Sequence, residues 1–87
     1  MPAYVYILKC NDDTLYTGYT TNIKNRIKMH NLKKASKYTR GRTPVKLVYL
    51  ETLSSKSEAL RREYAIKQLS KEQKLKLINS QSQLKSF

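Results

Sequence analysis

The sequence predicts an α+β fold: a three-stranded antiparallel sheet flanked by helices, in the order β-β-α-β-α-α. Three observations lead there. Two stretches rich in tyrosine and β-branched residues lie on either side of the turn-forming run Asn11-Asp12-Asp13-Thr14. A helical period of apolar residues begins soon after the second stretch. A third strand-like run, Val45 to about Leu53, is followed by segments with helix-capping signals. A hairpin joined by a third strand has two apolar faces, and helices can cover both.

Residues 4 to 10 carry apolar groups at both parities, Val5 and Ile7 on one, Tyr6 and Leu8 on the other. That pattern predicts a central strand covered on each side. Residues 15 to 20 make the returning strand, and Gly18 near its end leaves room for close approach of another group. Thr20 or Thr21 is placed to cap the next helix, where Ile23, Ile27 and His30 fall at i, i+4 and i+7. Lys33 to Pro44, "KKASKYTRGRTP", loses this period and reads as an ordered basic loop. Ser55-Lys56-Ser57-Glu58 has capping-box spacing and opens a helix from about Lys56 to Leu69. Ser70 caps a short last helix, Lys71 to Ile78. One domain is therefore expected over residues 1–79, with a polar, frayed tail over 80–87.

Charge is the strongest global signal. Eighteen Lys and Arg against six Asp and Glu give a formal net charge of +12 and a pI near 10.0. Such a surface attracts polyanions and favours fast, salt-sensitive association with nucleic acid. No apolar run approaches the roughly 20 residues needed to span a bilayer. The strongly apolar helix face that would insert into a membrane surface is also missing, so no membrane partner is expected. Cys10 is the only cysteine, which excludes an intramolecular disulfide and a cysteine-rich zinc site. Met1-Pro2-Ala3 lacks the regions of a signal peptide, and a cytoplasmic location is expected.

Helix geometry isolates polar residues on apolar faces. At about 100° per residue, Arg26 and His30 share the stripe of Ile23 and Ile27 and are i, i+4 neighbours able to converge on one object. The ordinary alternative is an arginine at the stripe's edge and a hydrogen-bonded boundary histidine. In the next helix Glu63 falls between Ala59 and Leu60 on the core side, near Ile66, where a carboxylate needs a partner. That partner is either a lysine or arginine, or a metal ion. Arg61 and Arg62 point elsewhere and read as surface charge. An Arg, a His and a Glu beside hairpin hydroxyls suit phosphodiester hydrolysis. Arginine clamps phosphate oxygens, a carboxylate holds a hard cation, and a tyrosine or histidine takes a proton from water. No convincing Ser-His-Asp set exists, and two glycines cannot build a phosphate-cradling loop.

These residues resemble the GIY-YIG nuclease superfamily. "YVY", Tyr4 to Tyr6, stands for the first triplet and "YTG", Tyr16 to Gly18, for the second. "TTNIKNRIKMH" resembles the following helix, and "SEALRREYAIK" the helix bearing the metal-binding glutamate. The resemblance runs from about Ala3 to Ile78, and "KYTRGRTPVKLVYLE" further resembles the small stand-alone bacterial subfamily. It implies Tyr6 and Tyr16 as active-site tyrosines, Arg26 as the phosphate-contacting arginine, His30 as their assistant and Glu63 as the metal ligand. The implied activity is a metal-dependent endonuclease acting on DNA with Mg²⁺ or Mn²⁺, selective for DNA structure. RNA is a further candidate partner, and no small-molecule cofactor is expected. Tyr19, Lys37, Arg40 and Arg42, with the last helix, would bind nucleic acid with little sequence specificity. The alternative is a non-catalytic nucleic-acid-binding module of the same fold.

Three positions depart from the family pattern. Tyr4 replaces the glycine of the first triplet, Tyr19 replaces a lysine found in excision-repair relatives, and no asparagine matches the one that follows the glutamate helix in some members. The hairpin register is the geometric condition for the site. Only if paired residue numbers have an even sum, or a bulge restores that parity, do Tyr6 and Tyr16 share a face.

Overall fold

The structure, a computed structural model, describes residues 2–81. Three strands, β1 (Ala3–Lys9), β2 (Leu15–Thr20) and β3 (Lys46–Leu53), form one antiparallel sheet in the order β2-β1-β3. Four helices accompany it: α1 (Ile23–Asn31), α2 (Lys37–Arg40), α3 (Lys56–Lys67) and α4 (Lys71–Asn79). The expected α+β class and sheet are present. The basic stretch 33–44, read from sequence as a loop, contains the four-residue helix α2. The expected tail begins with Ser80, which ends α4, and Gln81; its remaining residues, 82–87, lie outside the described residues.

Strand β1 is central because it is apolar on both faces. Ala3, Val5 and Ile7 face α3 and α4, packing with Tyr49, Ala59 and Ile66 and against Leu69, Leu77 and Ile78. Tyr6 and Leu8 face α1, packing with Cys10, Ile23 and Val45 and against Tyr16 and Ile27. Val5, Ile7 and Leu8 are fully buried, each stabilising the fold by about 2 kcal/mol relative to exposure. The β1–β3 register shifts between Ile7 and Leu8, which keeps Leu47 beside Leu8.

The hairpin turn uses the chemistry of its sequence. Asp13 takes a left-handed φ of 67°, and the Asp12 carboxylate accepts from the Thr14 amide at 3.2 Å and its hydroxyl at 2.6 Å. The cap of α1 is one residue later than expected. Asn22 Oδ1 accepts from the Asn25 amide at 3.1 Å, while the Thr20 hydroxyl accepts from the Asn22 amide. Ser55 caps α3 by accepting from the Glu58 amide, and the Glu58 carboxylate accepts from the hydroxyls of Ser54 and Ser55. Ser70 and Gln73 close a full capping box at α4. Helix α3 stops at Lys67, two residues short of the expected Leu69.

Two side chains on α3 differ from expectation. Arg62 is not free surface charge: its Nε lies 3.0 Å from both oxygens of Glu51 on β3, and Glu51 also accepts from the Tyr49 hydroxyl at 2.6 Å. The pair ties α3 to the sheet. Leu60, placed near the core by helix geometry, is exposed. Beyond α4, the Gln81 side-chain amide accepts from the Leu50 N–H at 3.0 Å and donates to its carbonyl at 2.5 Å.

Gly18 leaves no room for a side chain. It stands opposite Tyr6 in the register, and a Cβ there would come within 2.5 Å of the Tyr6 hydroxyl oxygen and 2.6 Å of Cζ. Tyr6 is buried and cannot retreat. Gly18→Ala is therefore expected to destabilise the protein by about 1–3 kcal/mol, measured as a lower denaturation midpoint. An unchanged midpoint would show that the ring moves freely.

Candidate active site

The β1–β2 register pairs Tyr6 with Gly18 and Leu8 with Tyr16, the even-sum parity. Tyr6 and Tyr16 thus share the face covered by α1, with ring centroids 6.3 Å apart. The absent side chain at position 18 lets the Tyr6 ring lie across β2. Its hydroxyl reaches His30 Nε2 at 2.9 Å, in a buried hydrogen bond between the sheet and the last turn of α1. His30 also meets the Tyr16 ring edge-on, at 5.1 Å between centroids.

The other ring nitrogen is engaged as well. His30 Nδ1 lies 2.8 Å from Thr39 Oγ1, and Thr39 donates its own proton to the Ser36 carbonyl at 3.4 Å. With Thr39 donating to Ser36, Oγ1 accepts from Nδ1–H, and Nε2 is then the acceptor for the Tyr6 hydroxyl. In that arrangement the donors run Tyr6, His30, Thr39, and the chain ends on the Ser36 carbonyl as acceptor. Thr39 is fully buried on α2, and sequence reasoning missed it. Ser36, a capping residue before "KYTR", was the available signal: its Oγ accepts from the Tyr38 amide at 3.0 Å.

Charged groups flank the pair. Arg26, one turn before His30, is half-buried, and Glu63 of α3 has a side chain only 18% exposed. Burial pushes the Tyr6 hydroxyl well above its ordinary pKa, with Tyr16 and Glu63 acting in the same direction and Arg26 against them. Burial, reinforced by Arg26, lowers His30 to about 4. At neutral pH the pair is therefore a protonated tyrosine and a neutral imidazole.

Glu63 has the lysine partner that was one of its two expected explanations: Lys67 Nζ lies 3.4 Å from Oε2, one helical turn on. Among the described residues no three His, Cys, Asp or Glu side chains cluster as a protein-built metal cage. A single carboxylate still fits a hard cation such as Mg²⁺, which completes its shell with water and phosphate oxygens. The Lys67 side chain is about half-exposed.

The expected nucleic-acid-binding residues fall in two groups. Lys37 and Arg42 line one surface depression together with Tyr38 and Gly41, and Arg40 is exposed at the end of α2. Tyr19 is separate from them. It pairs with Val5 and packs on the sheet's opposite face, against the Val5–Ile7 cluster. Its odd parity in the register that unites Tyr6 and Tyr16 was the signal for this placement.

A three-stranded antiparallel sheet whose hairpin tyrosines share one face with a histidine of the following helix is the arrangement of a GIY-YIG-type domain. The family model described as the GIY-YIG catalytic domain matches residues 2–76, and the chain belongs to this nuclease family. Within it, the chain is similar to the small UPF0213 proteins, consistent with a stand-alone form of the domain. That of Staphylococcus haemolyticus is 64% identical over 75 residues, covering 86% of this chain and 92% of that protein. The solution structure of the UPF0213 protein of Bacillus halodurans matches with a TM-score of 0.61 at 44% identity, covering 100% of both chains. A protein of E. faecalis, also solved in solution, matches with a TM-score of 0.65 at 32% identity, covering 100% of this chain and 93% of that one.

The buried imidazole makes stability depend on pH. Its folded pKa lies below the ordinary 6.5, so the unfolded chain binds more protons between the two values. Stability is then complete above about 6.5 and falls as pH drops toward about 4. The loss is at most about 3 kcal/mol. Denaturation midpoints of wild type and His30→Gln between pH 7 and 4 should converge as pH falls. Parallel curves would show that His30 is not the group titrating.

Proposed function

We propose that the protein is a metal-dependent endonuclease that hydrolyses DNA phosphodiester bonds. The carrying observation is the convergence of Tyr6, Tyr16 and His30 on one sheet face, with Arg26 and Glu63 near enough to bias the Tyr6 hydroxyl. Arg26 donates its guanidinium N–H groups to the phosphate oxygens and orients the phosphate. Tyr6 accepts a proton from the attacking water as its own passes to His30 Nε2. This relay avoids a free tyrosinate, which burial strongly disfavours. Thr39 acts as a positioning residue, holding Nδ1–H so that Nε2 stays open.

The substrate assists the transfer. Arg26 lowers the basicity of His30, and a phosphate bound to Arg26 cancels that charge and raises it again. Tyr16, edge-on to His30 and half-buried, contacts the substrate side of the same cluster. Glu63 would hold the Mg²⁺ or Mn²⁺ ion, which supplies charge stabilisation to the phosphate and the leaving oxygen. Lys37, Arg40 and Arg42 supply affinity for the backbone. The Glu63–Lys67 ion pair is the one observation that favours the second reading, a non-catalytic nucleic-acid-binding module, because there the carboxylate already has its partner.

Single-turnover cleavage of nicked, branched and linear DNA with Mg²⁺ or Mn²⁺ separates the two. Arg26→Ala, Glu63→Gln and Tyr6→Phe are each expected to lower the rate by about 10²-fold or more. Thr39→Val is expected to cost about 10-fold in kcat with little change in KM, as a lost orienting contact does. The acid limb of kcat/KM should lie near the lowered value of about 4 and not near 6.5. Tight binding of every DNA with no cleavage of any would establish the non-catalytic module instead.

A further inference from the structure

We propose that Tyr38 is a stacking platform for an unpaired nucleobase, so that the strand presented to the Tyr6–His30 pair is single-stranded beside the reacting phosphate. This rests on the nuclease reading for its position, though not for the binding itself. Tyr38 is 41% exposed on α2, yet its ring is part of an ordered stack. The Tyr16 ring lies 5.7 Å from it at an interplanar angle of 33°, and the Arg42 guanidinium carbon sits 4.1 Å from its centroid. The stack leads outward from His30 and Tyr16 to the surface.

Cations surround the ring from two distant parts of the chain. On one side a depression of about 510 Å³ is lined by Lys37, Tyr38, Gly41 and Arg42. On the other, one of about 180 Å³ is lined by Thr14, Leu15, Tyr38, Lys71 and Lys74. Tyr38 is the residue common to both. Among the described residues no carboxylate lines either depression, and Asp12 is engaged by Arg42 at 3.2 Å. An aromatic ridge between two basic hollows matches a single strand, whose bases stack while its phosphates run past the lysines. A duplex keeps its base faces stacked inside and offers the ridge only its backbone.

The ridge is built before any ligand arrives. Ser36 caps α2, Thr39 anchors it to His30, and the Asn31 amide accepts from the Val45 N–H at 2.8 Å where the segment ends. The Arg42 carbonyl accepts from the Asn11 amide at 2.7 Å, which joins the segment to the hairpin turn. A rigid platform loses little conformational freedom on binding.

The test measures binding without divalent metal, so it is independent of cleavage. With a labelled single-stranded DNA oligonucleotide and its blunt duplex at one salt concentration, Tyr38→Leu is expected to weaken single-strand binding roughly 5- to 100-fold. Duplex affinity should change less than about 2-fold, and Tyr38→Phe should bind both as wild type does. The chain has no tryptophan, so emission from Tyr38→Trp reports this position alone and should be quenched by the single strand and not by the duplex. Equal losses for both DNAs in Tyr38→Leu, or no selective quenching in Tyr38→Trp, would overturn the proposal. If Tyr38→Leu fails to fold, the tryptophan variant decides. Stacking without cleavage would defeat the nuclease reading and leave the platform standing; cleavage without stacking would do the reverse.

Discussion

Tyr6 Oη and His30 Nε2 meet 2.9 Å apart in the packed layer between the sheet and α1. Buried polar atoms there must satisfy each other, because leaving either unpaired costs about 1–3 kcal/mol. That demand organises the neighbourhood. The tyrosine ring must cross β2, so position 18 can carry no side chain. The histidine must present the right nitrogen, so Thr39 must occupy the other. Thr39 is reached only if the basic segment folds back into α2. Two hydrogen bonds on one imidazole thereby join the central strand, α1 and α2, and the groups of the proposed chemistry are also members of the core.

The elements whose pattern is local were legible in the sequence. Alternation at both parities placed β1 in the centre, and the helical period of Ile23, Ile27 and His30 placed α1. Serine caps marked α3 and α4. What could not be read is what depends on partners distant along the chain. Helix α2 has four residues, too short for any period, and is held by Ser36 and by His30. Arg62 looked like surface charge because its partner Glu51 lies on another element. For the candidate site, Tyr6, Tyr16, Arg26, His30 and Glu63 stood out as polar groups on apolar faces or as family positions. Thr39 and Tyr38 did not, since their meaning appears only when the segment closes onto the hairpin.

The chain's acids are largely occupied. Asp12, Asp13, Glu51 and Glu63 each accept from an arginine or lysine. These pairs fix geometry locally, Asp12 holding Arg42 over Tyr38 and Glu51 holding α3 to β3. They engage four of the eighteen cations, and the excess of cations, a net charge of +12, acts as a long-range field. The sheet divides the labour. One face, with α3 and α4, holds the larger apolar cluster; the other carries the polar network.

A sheet of three strands leaves β3 with an outer edge, where unpaired amide and carbonyl groups are a template for another chain's strand. At Leu50 that template is closed by a side chain: the Gln81 carboxamide occupies the N–H and C=O as a neighbouring strand's peptide group would. The residue just past α4 thus acts as a one-residue surrogate strand. It takes up one pair of edge groups that an added strand would need, at the sheet edge opposite β2.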